Sequence, residues 1–409
     1  MILKSPAKRL KISNFKLSAL LAITQAINEN LPVEELLKRY EIILREDLGI
    51  GKVLIYKNND KWECILNSGY NSNLHREIIV DQDLVGICEI TSVTTSHNEA
   101  LGSFDIVIPV FKNNLPLAYI LIGDIDEEGE GVSPVIKHLH FIQTLSNIII
   151  VATENIRLFN ESLRQEAIKK ELELASRMQN MLIPDKNSLP KNDKLSITSF
   201  YHPHLDVGGD YYDVIHLNYS EIGFCIADVS GKGISAALLM SNFQANLRAL
   251  FTPTIPLNEL IRILNDRVMK STKGEKFITL FVAKYNYNTR VLEYINAGHN
   301  QPILYETKKL TSTFLAAGCV GIGMLEEIPV INTGRCIIQE QTKLLCYTDG
   351  LVELIKEGDI RFDTADIEKR IMNTGSIEEN ISSIIEHQNI LKGNVSFFDD
   401  ITMLGIEFY

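Results

Sequence analysis

The chain has 409 residues, of which 45% are hydrophobic, and its 52 acidic and 40 basic residues give a formal net charge of −12. This length predicts two or three domains with ordinary hydrophobic cores, and the negative charge argues against a general nucleic-acid-binding surface. No apolar run approaches the roughly 18 to 20 residues that a membrane-spanning helix needs. We therefore expect a cytoplasmic protein, and its six scattered cysteines, which form no C-x-x-C pair, are expected to be reduced.

The N-terminal third predicts a helix followed by a small α+β domain. Within residues 1–31, leucine and isoleucine recur at helical spacing between polar residues, which indicates an amphipathic helix rather than a signal peptide. Residues 32–153 predict a helix, two pairs of strands and a closing helix. This order of elements resembles a GAF domain, a sensory module with a central antiparallel sheet. The resemblance implies that an unidentified small ligand or protein binds this domain.

A linking helix is predicted next. Residues 154–184 are rich in Glu, Lys, Arg, Leu and Ala and contain no Gly or Pro before Pro184, which is typical of one long helix. Apolar residues recur in the pattern of an imperfect coiled coil, at Phe159, Leu163, Ala167, Leu172, Ala175, Met178 and Leu182. We therefore predict a homodimer through this helix. Because the heptad is broken, a single helix packed on its own domain is the alternative.

Residues 185–409 predict a second α+β domain. Six segments rich in β-branched and aromatic residues indicate strands, and two consecutive segments, 234–251 and 257–272, indicate helices. The strands follow one another in meanders rather than in strict βαβ alternation. This pattern favours an antiparallel α+β sandwich over a Rossmann sheet.

Four short acidic motifs mark this second half: VGGDYYD at 207–213, ADVSGKG at 227–233, YTDG at 347–350 and FDDIT at 398–402. Each places an aspartate beside glycine or small polar residues at an apolar run, where a tight turn can aim a carboxylate into a cleft. If the fold brings Asp210, Asp228, Asp349 and Asp399 together, they form a site for divalent metal ions. For any one of them alone, a turn or helix cap is the commoner role.

The order of these motifs carries a specific resemblance. From about Ala175 to Tyr409 the chain resembles the SpoIIE-type serine phosphatases of the metal-dependent protein phosphatase (PPM) family, which include RsbU-like regulators. The matching segments are, in order, RMQNMLIP, VGGDYYD, ADVSGKGISAALLMS, FITLF, INAGHNQP, YTDGLVE and FDDIT. The resemblance implies a sandwich of antiparallel sheets flanked by helices, with two divalent ions, Mn²⁺ or Mg²⁺, in a cleft at one end.

The resemblance also implies a role for each motif residue. Asp228 is expected to bridge both ions, with the Val229 carbonyl and Asp210 on one ion and Asp349 and Asp399 on the other. Asp213 and Asp400 are expected to orient these ligands or hold waters. His299 has the chemistry of a general acid, but the resemblance favours a structural role for it.

The expected activity is hydrolysis of phosphoserine or phosphothreonine on a regulatory protein, by a water that two metal ions activate. By resemblance, the substrate is a small STAS-domain anti-sigma-factor antagonist. The GAF-like domain is then the regulator, and the helices at 235–251 and 257–272 are the activating element. The alternative function is a non-catalytic signalling module that uses the same fold to bind a phosphorylated partner.

Overall fold

The computed structural model describes residues 6–70, 74–93, 100–125, 134–316, 318–353, 364–390 and 399–409. The chain divides into two compact units, Met1–Glu166 and Ala167–Tyr409. Across the described ranges, no helix is both long and apolar enough to cross a membrane. Each unit is built on antiparallel sheets, as the sequence predicts.

The first unit is a five-stranded sheet with helices. Helices α1 (Pro6–Asn28) and α2 (Val33–Ile42) precede β1 (Ile50–Asn58) and β2 (Trp62–Ser68), and the rest of the sheet follows as α3 (Val80–Asp83), β3 (Thr91–Ser92), β4 (Ile106–Lys112) and β5 (Leu115–Ile125). The strand order is β2-β1-β5-β4-β3, and each neighbouring pair is antiparallel. Both predicted strand pairs are present.

Side chains of this sheet alternate between two cores, as the pleat of a strand requires. On β1, Val53 and Ile55 pack with residues of α1, α2 and α4, whereas Leu54 and Tyr56 pack in a smaller cluster on the other face. The sheet is therefore covered on both sides. Assignment of this unit to the GAF domains stays a prediction.

Helix α4 (Pro134–Asn180) is a single helix of 47 residues. It joins two segments that the sequence predicts separately, the closing helix of the first domain and the linking helix over 154–184. The helix ends at Asn180, four residues before Pro184, and a short loop follows the helix. Its first half is buried at Ile142 and Leu145, and its second half exposes apolar side chains such as Phe159 and Met178.

The second unit is a sandwich of two five-stranded antiparallel sheets. Its elements are β6 (Leu195–His202), β7 (Tyr211–Asn218), β8 (Glu221–Val229), α5 (Ile234–Leu250), α6 (Leu257–Thr272), β9 (Ile278–Asn286), β10 (Val291–Ala297), β11 (Ile303–Glu306), β12 (Thr311–Phe314), β13 (Gly334–Ile337), β14 (Thr342–Tyr347), α7 (Thr364–Ile371), α8 (Ile377–Gln388) and β15 (Ile401–Phe408). One sheet has the order β13-β10-β9-β8-β7 and the other β12-β11-β14-β15-β6. The predicted α+β sandwich is confirmed.

The two sheets share one hydrophobic core. Ile226 and Leu280 of the first sheet and Leu344 and Leu404 of the second belong to the same buried cluster, which also includes the apolar face of α5 and α6. A second cluster packs α7 and α8 against the outer face of the second sheet. The sandwich is therefore flanked by helices, and its strand ends are held in fixed positions on both sheets.

Some elements are additional to those predicted from the sequence, namely β7, β11, β12, β13, α7 and α8. Strands β11 to β13 have four residues each, which is too short for a reliable alternation pattern. Strand β7 begins inside the VGGDYYD motif, whose glycines and aspartate favour a turn. In both cases the sheet neighbours, rather than the local sequence, stabilise the strand.

A buried ion pair stabilises the first unit. Lys57 Nζ on β1 lies 3.0 Å from Glu154 Oε2 on α4, and both side chains are less than a tenth exposed. Arg157 donates to the same carboxylate at 2.9 and 3.1 Å. The hydrogen bonds from Arg157, helped by Lys57 and opposed by burial, lower the pKa of Glu154 to about 2.

Replacing Glu154 by Ala is expected to destabilise the first unit by about 3–5 kcal/mol, because it leaves the buried Lys57 ammonium without its partner. Urea unfolding of the full chain measures this loss, with the exposed Glu173→Ala as the control on the same helix. Since the folded carboxyl titrates near pH 2 and an ordinary one near 4.5, the pair stabilises fully above about pH 4.5 and is lost as the pH falls toward 2. Equal unfolding midpoints for the two variants would contradict this assignment.

Candidate metal centre

The four motif aspartates lie at strand ends in the two sheets of the sandwich. Asp210 directly precedes β7 and Asp228 lies near the end of β8, and these strands are neighbours in one sheet. Asp349 and Asp399 lie just after β14 and just before β15, which are neighbours in the other sheet. Packing the two sheets face to face thus brings two pairs of carboxylates to one region.

Asp210 is the most buried of the four and connects the two sheets. Its Oδ2 atom accepts hydrogen bonds from Thr348 Oγ1 at 2.9 Å and from Thr402 Oγ1 at 2.5 Å. Burial first, and then the charges of Asp228 and Asp400, raise its pKa well above the usual range. The two threonine bonds oppose this rise, and they orient the carboxylate.

Asp228 and Asp349 are electrostatically linked to the rest of the group. Burial raises the pKa of Asp228 to about 7, together with the charges of Asp349, Asp399 and Asp400, while a hydrogen bond with Asp210 opposes the rise. Burial likewise raises the pKa of Asp349 to about 6, with further contributions from Asp399 and Glu353. Carboxylates that raise one another's pKa are stabilised by a bound cation.

Asp400 holds the turn that presents Asp210. Its carboxylate accepts hydrogen bonds from the backbone N–H groups of His204 at 2.7 Å, Gly209 at 2.6 Å and Asp210 at 3.4 Å. A side chain at Gly208 would place its Cβ 2.5 Å from Asp400 Oδ2, so only glycine fits there. This geometry agrees with the orienting role expected of Asp400.

Asp213 has different partners from those expected. Arg248 of α5 binds its carboxylate with two hydrogen bonds, at 2.7 and 2.9 Å, and the Tyr211 hydroxyl also donates to it. On β7 the side chain of Asp213 faces α5, and none of these partners is a motif aspartate. From these contacts we infer that Asp213 anchors α5 to the sheet, and its expected part in orienting a metal ligand stays a prediction.

The Val229 carbonyl, expected as a metal ligand, lies against the same turn. A Cβ atom built at Gly209 would stand 3.0 Å from the Val229 oxygen, so the missing side chain lets this carbonyl approach the turn. Val229 is the last residue of β8 and is itself buried. The Val229 carbonyl therefore lies close to Asp210 and Asp228, the two aspartates expected to bind the same ion.

Gln179, in the last turn of α4, is a supporting residue that the sequence did not single out. Its amide donates to the Gly208 carbonyl at 2.6 Å and accepts from the Gly208 N–H at 3.1 Å. The side chain is buried, so both bonds are shielded from water. The only sequence feature that points to Gln179 is its position within the RMQNMLIP segment, one of the segments that carry the family resemblance. The last turn of α4 thus holds the turn that carries Asp210 through two hydrogen bonds.

Thr348, Thr402 and Lys232 were also not singled out, although each lies inside one of the four motifs. The threonines bind Asp210 as described above, and Lys232 Nζ lies 2.9 Å from Asp399 Oδ2. The Lys232 charge also acts on Asp349, whose pKa it lowers against the larger opposing effects. The cluster therefore contains a cation supplied by the protein itself.

His299 is buried beside this region. Its Nδ1 pairs with Thr279 Oγ1 at 2.9 Å, and its backbone N–H donates to Asn296 at 2.8 Å. Burial lowers the pKa of His299 to about 4, against the opposing effect of the Tyr347 backbone. A neutral imidazole at pH 7 is poorly suited to act as a general acid, in agreement with the structural role expected for it.

The donor set suits a hard divalent cation. Within the described ranges, no three Asp, Glu, His or Cys side chains form a group that could hold a metal ion as placed. The candidates are nonetheless all oxygen donors, namely four carboxylates and one carbonyl, which are the ligands that Mg²⁺ and Mn²⁺ prefer. The Lys232 ammonium group beside Asp399 shows that this carboxylate has a cation as its partner. The residues therefore fit a divalent ion.

Comparison with known proteins finds relatives of the second unit. Residues 219–409 match the family model described as Stage II sporulation protein E (SpoIIE). The chain is 28% identical over 243 residues to phosphoserine phosphatase RsbU of Bacillus subtilis (strain 168), which covers 59% of this chain and 70% of the relative. It is 30% identical over 192 residues to phosphoserine phosphatase RsbP of the same organism, covering 45% of this chain and 46% of that one.

A solved structure supports the fold. The SiaA-PP2C domain of Pseudomonas aeruginosa superimposes with a TM-score of 0.50 at 19% identity, covering 60% of this chain and 99% of that domain. At this identity the likeness concerns the fold alone. The chain spans less than half of RsbP, so the shared segment is one part of a longer relative.

Asp400→Asn is expected to weaken binding of Mg²⁺ by about 10- to 100-fold, because an amide cannot accept all the N–H bonds that hold the Asp210 turn. Isothermal titration calorimetry on the full chain measures the affinity. The matched control is Asp213→Asn, which should lower stability through loss of the Arg248 pair and leave Mg²⁺ affinity unchanged. An equal loss of affinity in both variants would contradict the separate roles assigned to them.

Proposed function

We propose that this chain, whose C-terminal unit is similar to the SpoIIE family model and to phosphoserine phosphatases, is a metal-dependent protein serine/threonine phosphatase. The observation that carries the proposal is the group of four aspartates at strand ends of both sheets, in which burial and neighbouring carboxylates raise the pKa of Asp210, Asp228 and Asp349. Such a group binds divalent cations, and the relatives named above are phosphoserine phosphatases.

The proposed ligands divide between two ions. Asp210, Asp228 and the Val229 carbonyl would hold one ion, and Asp349 and Asp399, together with Asp228, would hold the other. Two divalent ions there would supply an activated water and neutralise the charge of the phosphoryl oxygens. Manganese and magnesium are both compatible with these oxygen donors.

The surrounding residues keep the ligands in place. Thr348 and Thr402 both donate to Oδ2 of Asp210. These two hydrogen bonds fix the orientation of the carboxylate and therefore the position of its other oxygen, Oδ1. Asp400 fixes the backbone of the turn through the Gly209 N–H, and Gln179 fixes it through both backbone groups of Gly208. Because these supports are buried, little reorganisation is needed when a cation and a phosphate bind.

A cysteine nucleophile is not favoured by the structure. Cys225 and Cys346 are fully buried, and burial raises the pKa of each thiol, which keeps it protonated. The thiolate is the reactive form. Hydrolysis by activated water is therefore the chemistry that these residues support.

The proposed substrate is a phosphorylated regulatory protein, with a STAS-domain anti-sigma-factor antagonist as its specific identity. The support is the sequence similarity to RsbU and RsbP. The first unit, which we propose to be GAF-like, would bind a small ligand or protein and regulate the phosphatase. A non-catalytic module that only binds the phosphoprotein is the alternative, and the complete set of oxygen donors argues against it.

Asp228→Asn is expected to abolish release of phosphate from a phosphoserine protein in the presence of Mn²⁺, because the shared ligand loses its charge. A colorimetric phosphate assay measures release, and chelation of the metal by EDTA should have the same effect. Asp206→Asn, an exposed aspartate before the same turn, is the control and should remain active. A wild type that binds the phosphoprotein without releasing phosphate under any divalent metal would favour the binding module.

We also propose a homodimer through the second half of α4. The support is a row of exposed apolar side chains, with Phe159 62%, Leu163 48% and Met178 63% exposed. Burying such residues against a second copy is favourable at about 25 cal/mol per Å² of apolar surface.

Introducing two charges into this row, Phe159→Glu with Leu163→Glu, is expected to convert a dimer into a monomer, as measured by sedimentation equilibrium. The control adds two glutamates on another face of the same helix, Asn160→Glu with Arg164→Glu, and should remain dimeric. A monomeric wild type would overturn the dimer.

A further inference from the structure

Lys232 lies on a loop whose first residue is firmly fixed. Ser230 N donates to the Phe277 carbonyl at 2.9 Å, and Phe277 N donates back to Ser230 Oγ at 2.9 Å. Lys276 Nζ adds a third bond, to the Ser230 carbonyl, at 2.9 Å. These bonds tie the end of β8 to the start of β9, so the residues that follow leave the sheet from a defined point.

Two glycines then set the path of the loop. Gly231 and Gly233 have φ values of +85° and +73°, in the left-handed region that other residues rarely adopt. Lys232 stands between them, and α5 begins at Ile234. The lysine is therefore positioned by backbone geometry and does not belong to a regular helix or strand.

From this position the lysine reaches the other sheet. Its Nζ atom lies 2.9 Å from Oδ2 of Asp399, two residues before the start of β15. Its charge also acts on Asp349. These are the two carboxylates that we assign to one metal ion. The ammonium group of Lys232 thus lies beside the carboxylates proposed to bind that ion. The side chains of Lys232 and Asp399 are 41% and 27% exposed, so ions from the solvent can reach them.

We propose that Lys232 has two successive roles: it is the counter-ion of Asp399 before a metal ion binds, and it then binds the phosphoryl group of the substrate. This inference rests on the proposed phosphatase function and adds to it the residue that recognises phosphate. In the first role Lys232 competes with the metal ion. In the second it supplies the positive charge that the substrate dianion requires.

The competition follows from charge. A divalent cation held by Asp399 and Asp349 repels an ammonium group at the same carboxylates, and an ion pair this exposed is weak enough to be replaced. The displaced lysine stays tethered between two glycines, so its ammonium remains within a side chain's length of the ion and of anything bound to it.

The phosphate role follows from the lack of another suitable cation in the described part of the chain. Among the ion pairs of the described residues, Lys232 is the only lysine or arginine bonded to one of the four aspartates proposed as metal ligands. The neighbouring Lys276 is already engaged by the Ser230 carbonyl. Lysine is a well-suited point charge for a phosphoryl group. A tethered lysine that is released by metal binding would make phosphate recognition depend on a loaded metal site.

The first test measures metal affinity without substrate. Lys232→Met removes the charge and keeps the length of the side chain. We expect it to bind Mg²⁺ about two- to fivefold more tightly than wild type in calorimetry at low salt, because no ion pair has to be broken. The control is Lys308→Met, which removes a lysine from an exposed ion pair of the same 2.9 Å length, with Glu340. It should leave Mg²⁺ affinity unchanged.

The second test measures phosphate affinity at saturating Mg²⁺. Lys232→Met is expected to bind inorganic phosphate about tenfold more weakly than wild type, since it loses a charge-assisted hydrogen bond. Lys232→Arg should recover part of the affinity. In steady-state assays with a phosphoserine peptide, KM should rise more than kcat falls.

Tighter Mg²⁺ binding combined with weaker phosphate binding is the expected result. The inference is overturned if Lys232→Met binds Mg²⁺ no more tightly than wild type, or if its phosphate affinity is unchanged. Its failure is distinguishable from failure of the proposed function. A wild type that binds Mg²⁺ and releases phosphate, with Lys232→Met behaving identically, removes only the role of Lys232. A wild type that neither binds Mg²⁺ nor releases phosphate would overturn the proposed phosphatase function itself.

Discussion

The repulsion among buried carboxylates is the constraint on which the second unit depends. Asp210, Asp228 and Asp349 each have a raised pKa because burial and neighbouring aspartates disfavour their charged forms. A fold tolerates such a group when it serves binding, because a cation then stabilises the charges that the protein alone destabilises. The rigid sandwich, with one core shared by both sheets, keeps these carboxylates from moving apart.

The supports of the site are as specific as its ligands. Asp400 fixes the Asp210 turn through backbone N–H groups, and a Cβ atom at Gly350 would stand 2.0 Å from the Asp400 carbonyl oxygen. Thr348 joins the two strands that carry the second aspartate pair, since it donates to Asp210 and accepts from Thr402 N. Through Gln179 the last turn of α4 is also part of the centre. The geometry of this aspartate group therefore depends on several elements at once.

The proposed ligands could be named from the sequence more readily than the residues that hold them in place. The four aspartates could be named because each follows a strand-like run and has small neighbours, a pattern that is local. The roles of Thr402 and Gln179 could not, because they depend on which strand ends and helix turns the sandwich brings together. The contact between Asp213 and Arg248 could not be predicted for the same reason, because it depends on how α5 packs on β7. The short strands β11 to β13 are likewise stabilised by their sheet neighbours.

The central claim is that four aspartates from two sheets share one divalent metal centre, and anomalous X-ray diffraction from crystals of the full chain grown with Mn²⁺ tests it most directly. The account predicts two manganese peaks in the cleft, with Asp228 contacting both, Asp210 one of them, and Asp349 and Asp399 the other. Manganese bound elsewhere, or no peak near Asp228 at saturating Mn²⁺, would contradict it.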